Sequence, residues 1–459
     1  MLYRFRSIDK LINPPYEELK HQYFFFAAPS ELNDPLEGYV DFYWKADKIA
    51  WLGLFKNYVW QVYRTLESIM LRYPINDIKK MYFTKTEIHF KDTKLPELRT
   101  NIETSFCDEP LIDEIATILA ESDQEISPTV LQLILLPIHS LALFHANKLF
   151  ENIGIQVWKS SDWLTKTVET ITNKLHDYFL KTIKDIIQHP QNTKSLICFD
   201  QYFRLNTEYP LDKFEKEQFE LIEYLYTDFP EHYVKCVTNL AYATWKTVCF
   251  NRTYADPKMW SHYADSHKGV CLMFNFNHAE RVQLESLDKT ATDKIKQLYI
   301  KPIDYTSKPS KINFFLTLGN LWGDERKHWF FHNGEKSELL SSIFENINKW
   351  RDEYWMEFEK RFLRKGSCWE SEQEERIVLD DSFYDHSSAR KYKYDFNKLH
   401  GIVFGINTKL SDKKRIIKIL KEKCKETMRD QFHIYQARYD TNKEIIETDL
   451  LMIIKQNSI

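Results

Sequence analysis

Glycine is scarce. Only 10 glycines occur in 459 residues, and none falls in a G-x-G-x-x-G or Walker A pattern. Phosphate-cradling turns of those kinds need glycine, so glycine-rich dinucleotide and P-loop folds are excluded. Cysteine is unpatterned. The 7 cysteines, at Cys107, Cys198, Cys236, Cys249, Cys271, Cys368 and Cys424, never form C-x-x-C. That excludes a zinc ribbon and a secreted disulfide framework, and the expectation is reduced thiols in a cytoplasmic protein. No run of about 18 apolar residues is present, so no membrane span is expected. The most apolar stretch, Val130 to Phe150, is interrupted by Pro137, His139, His145 and Lys148 and reads as a pair of buried helices. Met1 to Lys10 is basic but no apolar segment follows, so no signal peptide is expected. A large charge excess is missing too: 63 Lys and Arg face 67 Asp and Glu, a net charge of −4. A generally basic, duplex-coating protein is excluded, and only a local basic cleft remains open.

Aromatic residues are abundant: 31 Phe, 26 Tyr and 12 Trp make up 15% of the chain. Such a chain can bury ample apolar area, which argues against disorder. Its length exceeds one average domain and predicts two or three units, or one domain with a large insertion.

Periodicity changes along the chain. Leu2 to Arg6 and Gln22 to Ala27 read as strands flanking a helix, followed by the polar loop Pro29 to Pro35. From about 40 to 245, apolar residues recur at helical spacing over Trp44–Leu71, Leu111–Leu149, Trp163–Ile187 and Phe214–Leu240, with a short strand at Ser195–Phe199. Strand-like runs return at Thr247–Phe250, Gly269–Phe276, Gln297–Tyr305, Glu375–Leu379 and Leu399–Ile406. Helical spans Phe314–Phe362 and Leu410–Cys424 lie between and after them. The fold class this predicts is α+β. A small mixed or antiparallel sheet core is built from 1–40 and 245–459 and split by a mainly helical insertion over 41–244.

Three stretches carry candidate chemistry. In Asp256 to Val270, Asp256 suits a helix cap and Pro257 the first helical position, while Gly269 ends the turn before an apolar strand. His262 and His267 are five apart, about 140° around a helix, so a metal site does not assemble there while the segment is helical. A packing helix or an aromatic ligand pocket are the other readings. In Trp369 to Leu379, an extended strand would put Glu372, Glu374 and Arg376 on one face and Gln373 and Glu375 on the other. Two such carboxylates, about 7 Å apart, raise each other's pKa, which Arg376 would restrain. Either this is a solvated strand end or the carboxylates sit at the mouth of a site. The third stretch is Tyr3-Arg4-Phe5 with the Asn33-Asp34-Pro35 loop. An arginine in an aromatic strand either pairs with a carboxylate, holds an anion or lies at an exposed edge.

Together these motifs resemble a bacterial family, a domain of unknown function found in phage-defence and abortive-infection-type gene neighbourhoods. The resemblance rests on Tyr3-Arg4-Phe5, Ala28 to Pro35, Met259 to Val270, Ile303-Asp304-Tyr305, Trp369 to Arg376 and Gly401 to Gly405. It covers both ends of the chain and omits the insertion. Cys249-Phe250-Asn251 departs from the family's Cys-Phe-Ser, so Asn251 or Ser261 would take over any role of that serine.

The motif order also resembles that of ADP-ribosyltransferases, with an arginine on a first strand, a hydroxyl residue on a middle strand and Glu-x-Glu on a late one. That resemblance implies NAD as substrate and an unknown protein or nucleic-acid acceptor. It implies that Tyr3, Arg4, Asn251, Trp260, Ser261, His262 and Tyr263 contact NAD, with Trp260 or Tyr263 stacking on nicotinamide. Glu374 would bind the ribose and stabilise the departing nicotinamide's oxocarbenium-like partner, and Glu372 would activate the acceptor. The expected function is an anti-phage or toxin-type effector. The alternatives are a non-enzymatic sensor with a regulatory partner on the helical insertion, and a metal-dependent nuclease using Glu372, Glu374 and Asp265 or Asp34.

Overall fold

Short aromatic and apolar runs from both ends of the chain meet in one eleven-stranded sheet. The structure, a computed structural model, describes residues 1–81, 95–152, 154, 162–190, 219–277, 279–289, 291, 294–380 and 390–455. Two units are present. The first comprises Met1–Tyr39, Ala243–Ser310 and Met356–Ile459, and the second Val40–Tyr242 and Lys311–Trp355. Residues 311–355 thus cluster with the helical unit, whereas the sequence reading assigned all of 245–459 to the core. The strand expected at Ser195–Phe199 lies outside the described residues.

In the first unit the strands are β1 (Leu2–Arg6), β2 (Tyr23–Phe25), β3 (Trp245–Asn251), β4 (Val270–Phe274), β5 (Arg281–Ser286), β6 (Ile295–Pro302), β7 (Glu374–Asp380), β8 (Lys391–Lys393), β9 (Leu399–Phe404), β10 (Gln431–Asp440) and β11 (Ile445–Lys455). Their spatial order is β11-β10-β9-β4-β1-β3-β7-β6-β5-β8-β2. The sheet is large rather than small, because β5, β8, β10 and β11 add to the strands that periodicity indicates. Pairing is antiparallel except between β9 and β10. A parallel pair needs a long crossover, and the helix Leu410–Glu426 supplies it. β4 is buried along its whole length between β1 and β9, as its uninterrupted Val-Cys-Leu-Met-Phe sequence requires.

One irregularity positions the site. β1 pairs with β4 over all of Leu2 to Arg6. Against β3 it pairs only at Tyr3–Asn251. Farther along, the edge of β3 is met by Ala27, which exchanges hydrogen bonds of 2.9 and 2.8 Å with Thr247. The Cys249 carbonyl lies between these two pairings and accepts from Arg4 Nη1 at 3.0 Å. A buried carbonyl needs a donor, and where strand pairing fails the guanidinium provides it.

The second unit is built around the helix Lys48–Met70, which packs against Leu95–Cys107, Pro110–Glu121, Pro128–Asn152 and Gly323–Phe330. Asp47 caps it by accepting from Ala50 N at 3.0 Å, and also accepts from Ser337 Oγ at 2.6 Å. Pro128–Asn152 is one continuous helix with Pro137 inside it, not a helix pair. Proline forfeits a single backbone bond, and burial of residues on both sides of it outweighs that loss. Among the described residues this is the one helix long and apolar enough to cross a membrane, and 78% of its most apolar window is buried.

Gly53 marks a close approach of the helix Lys48–Met70 to the backbone at Trp329. A Cβ there would lie 1.9 Å from the Trp329 carbonyl oxygen. Alanine is the better helix former by about 1 kcal/mol, but backbone cannot yield as a side-chain tip does. Gly53→Ala is therefore expected to destabilise by roughly 1–3 kcal/mol, as overpacking does. Urea unfolding followed by circular dichroism checks this, and a variant as stable as wild type would contradict it.

Candidate functional site

A cavity of about 340 Å³ opens where β1 and β3 part. Arg4, Phe5 and Arg6 line it from β1, and Thr247, Cys249 and Asn251 from β3. Glu374 and Arg376 reach it from β7, Tyr263 from the helix Pro257–Tyr263, and Lys365 and Glu372 from the segment before β7. Asn33, in the polar loop after β2, lies at its rim. The sequence-predicted Arg4, Asn251, Tyr263, Glu372 and Glu374 thus share one cavity.

Arg4 is 8% exposed, and its guanidinium lies over the rings of Phe24 and Phe250 at 5.8 and 5.9 Å. Beyond the Cys249 carbonyl, no carboxylate lies within ion-pair distance of it among the described residues. The neighbouring Arg6 does pair with Glu18, with Nε at 2.7 Å from Oε2. Burial first, and Arg6 second, lower the pKa of Arg4 to about 10. Lys10 faces the same end of the cavity, and burial followed by repulsion from Arg6 lowers its pKa also. Three cations face Glu18 and Glu31, the latter paired with Arg390, which leaves this end positive.

The opposite end is built around carboxylates. Arg376, fully buried, donates from Nε to Glu374 Oε1 at 2.5 Å and from Nη2 to Oε2 at 3.1 Å. It also grips Glu37 at 2.5 and 2.9 Å. Lys365 bridges Glu372 and Glu374, with Nζ 3.1 Å from Glu374 Oε2. Burial opposes ionisation of Glu374, but Arg376 and Lys365 outweigh it and hold its pKa to about 2. Burial raises Glu372 above the usual carboxylate range despite Lys365 and a 2.6 Å hydrogen bond from Tyr263. The two carboxylates do not simply raise one another, as the sequence reading had it. Their environments drive them apart, the pattern of groups given different acid–base tasks. Among the described residues no group of three His, Cys, Asp or Glu side chains is arranged to hold a metal.

Local structure explains the placement and corrects parts of the sequence reading. β7 begins at Glu374. Glu372 ends the 3₁₀ turn Ser367–Glu372, and Gln373 has φ 44°. Glu372 therefore joins Glu374 through a left-handed turn and not along one face of a strand. Asn251 Nδ2 fixes that turn by donating to the Glu372 carbonyl at 2.8 Å. Asp256 caps the short helix as expected, accepting from Lys258 N at 2.8 Å. Trp260, however, is fully buried, donates to the Tyr254 carbonyl at 2.7 Å and packs edge-on against Phe5. Helical spacing that buries Met259 and Trp260 turns Ser261 and His262 outward. Tyr3 packs on Tyr254 at 5.1 Å. Tyr3, Trp260, Ser261 and His262 thus lie outside the cavity lining. After the helix, Asp265, Ser266 and His267 all have positive φ, between 47° and 67°. That left-handed turn is locked by hydrogen bonds such as Gly269 N to the Ala264 carbonyl at 2.7 Å.

Sequence reasoning missed Lys365, Cys249 and Lys10, which line the cavity, and Glu37, which holds Arg376 from behind it. Glu37 comes two residues after the Asn33-Asp34-Pro35 loop, a usable clue. Lys365 sits in no pattern.

Residues 259–377 match the family described as Protein of unknown function (DUF2971). The match begins in the helix carrying Tyr263 and ends on β7, just past Arg376, so Arg4 and Asn251 lie outside it. No curated protein and no solved structure matches the chain.

Proposed function

We propose that this protein is an ADP-ribosyltransferase-type enzyme of bacterial anti-phage defence, using NAD and a macromolecular acceptor. The observation that carries the reading is the pairing, in one small cavity, of a buried arginine without a carboxylate and a glutamate held ionised. Their strands, β1 and β7, flank β3, which bears Asn251. In this reading Arg4, with Lys10, holds the phosphates through charge-assisted hydrogen bonds. About 340 Å³ suits the nicotinamide-ribose end of a dinucleotide, with the remainder outside. Tyr263, not Trp260, is the aromatic residue facing that end. The bond from ribose C1′ to nicotinamide breaks, nicotinamide leaves with the electron pair, and ionised Glu374 stabilises the positive charge left on the ribose. Glu372, with its raised pKa, takes the proton of the attacking acceptor. A metal-dependent nuclease is disfavoured because Lys365 and Arg376 already occupy the carboxylates.

The test is nicotinamide release from labelled NAD by the full chain in cell extract, with calorimetric NAD binding alongside. Arg4→Met is expected to weaken NAD binding about 10- to 100-fold, the worth of a lost hydrogen-bonded charge. A variant that binds NAD as wild type does, or a wild type that neither binds nor consumes NAD, would defeat the reading.

A further inference from the structure

The helix Leu410–Glu426 connects β9 to β10. Its apolar side is settled: Ile416, Leu420 and Cys424 are buried against the sheet. Its composition is lopsided, with seven Lys and Arg against three Asp and Glu, in a chain whose net charge is −4.

The lysines are also ordered. Lys414, Lys418, Lys421 and Lys425 follow one another by four, three and four residues, which aligns them within about 60° of one helix face. The stripe runs about 16 Å, at 1.5 Å per residue. Lys414, Lys418 and Lys425 are exposed and Lys421 is partly so. None of the four has a carboxylate within ion-pair distance among the described residues. The nearby pairs belong to others: Lys423 with Glu426, and Arg415 with Asp412. Like charges at these spacings oppose the helix that carries them. Only Lys425, in the last turn, favours the helix dipole, and the four together offer a regular row of positive charge.

We infer that this stripe is a docking surface for a nucleic-acid backbone. Four lysines about 5 Å apart along one line suit a row of phosphates, which a protein can neutralise one by one without reading bases. The helix that bears the row contacts the segment that carries Lys10 of the cavity's cationic end. Arg415 donates to the Asn13 side chain at 2.8 Å, and Asn13 caps the helix Ile8–Ile12 that carries Lys10. Docking here does not depend on the nucleotide reading of the cavity. If that reading also holds, it identifies the acceptor as a nucleic acid.

The experiment is fluorescence anisotropy of labelled 20-mer DNA and RNA duplexes with the full chain, titrated at several salt concentrations. The variant replaces Lys414, Lys418, Lys421 and Lys425 with glutamine, and circular dichroism verifies its fold. A control replaces Lys235 and Lys349, each paired with a glutamate, with glutamine. Wild type is expected to bind with a log–log salt slope of about −3 to −4, as roughly four neutralised phosphates require. The stripe variant should lose at least about tenfold in affinity at low salt and most of that slope, while the control keeps both. Equal binding and slope in the stripe variant would overturn the inference. So would a wild type that ignores both duplexes, whether or not it binds anionic vesicles. NAD consumption is measured separately, so loss of docking and failure of the cavity reading give different results.

Discussion

Glu374→Gln is expected to lose about 10²-fold or more of kcat in NAD consumption while NAD affinity stays near wild type. Glutamine preserves size and one acceptor oxygen but removes a charge that bears on the reaction only as the ribose becomes positive, so the kinetic loss falls on turnover. The fold should survive, for a specific reason. Arg376 keeps both hydrogen bonds to Glu37, and Lys365 keeps Glu372. No buried cation is stranded. Glu375→Gln is the control: Glu375 pairs with Arg252 at 2.8 Å, outside the cavity lining. Glu372→Gln should spare NAD hydrolysis more than transfer, because its proposed partner is the acceptor. Steady-state kinetics of the three variants decide this, and wild-type turnover by Glu374→Gln would end the transferase mechanism.

Local patterns made the outline legible, and long-range contacts made the rest. The change from period two to helical spacing near 40, and back near 245, reflects which faces are buried. β10 and β11 escaped notice because they are half exposed and carry charges, such as Arg438 with Glu447 and Asp449, where a strand signal would show. Arg281–Ser286 does alternate strictly in burial, but with only two aliphatic residues the signal is slight. At the site, Arg4 and Glu374 stand out because charge in an aromatic or apolar strand needs an explanation. Trp260 illustrates the opposite failure. A tryptophan among polar residues looks like a ligand platform, and only its packing on Phe5 and Tyr254 reveals a core residue. Lys365 could not be found at all. Its meaning comes from two glutamates that a turn brings to it, and no spacing encodes that turn. Glu372 came to the site by a different path than strand alternation suggests, through Gln373 in the left-handed region.

The largest effect on stability is expected at Arg376. Its guanidinium is shared by Glu374 and Glu37, whose side chains are 3% and 1% exposed. Arg376→Met would leave Glu37 buried with no cation and Glu374 with Lys365 alone. Removing one partner of a buried ionic group costs about 3–5 kcal/mol, because the remaining charge stays desolvated and unpaired. Arg376→Met is therefore expected to lose that much at pH 7 in urea unfolding. Adding Glu37→Gln should recover a large part of it, since the second change removes the stranded charge. In a double-mutant cycle that recovery separates charge from packing. The pH dependence gives a further check. Glu374 has its pKa depressed from the ordinary 4.5 to about 2, burial being outweighed first by Arg376. Its contribution to wild-type stability is complete above about pH 4.5 and is lost as the pH falls towards 2. In Arg376→Met that depression shrinks, so the variant loses less than wild type does when Glu374 is protonated. The gap between wild type and variant should thus hold down to about pH 4.5 and narrow as the pH is lowered from there towards 2. A gap that stays constant over that range, or a loss under about 1 kcal/mol at pH 7, would show that Arg376 fills space at this position and does not hold the carboxylates by charge.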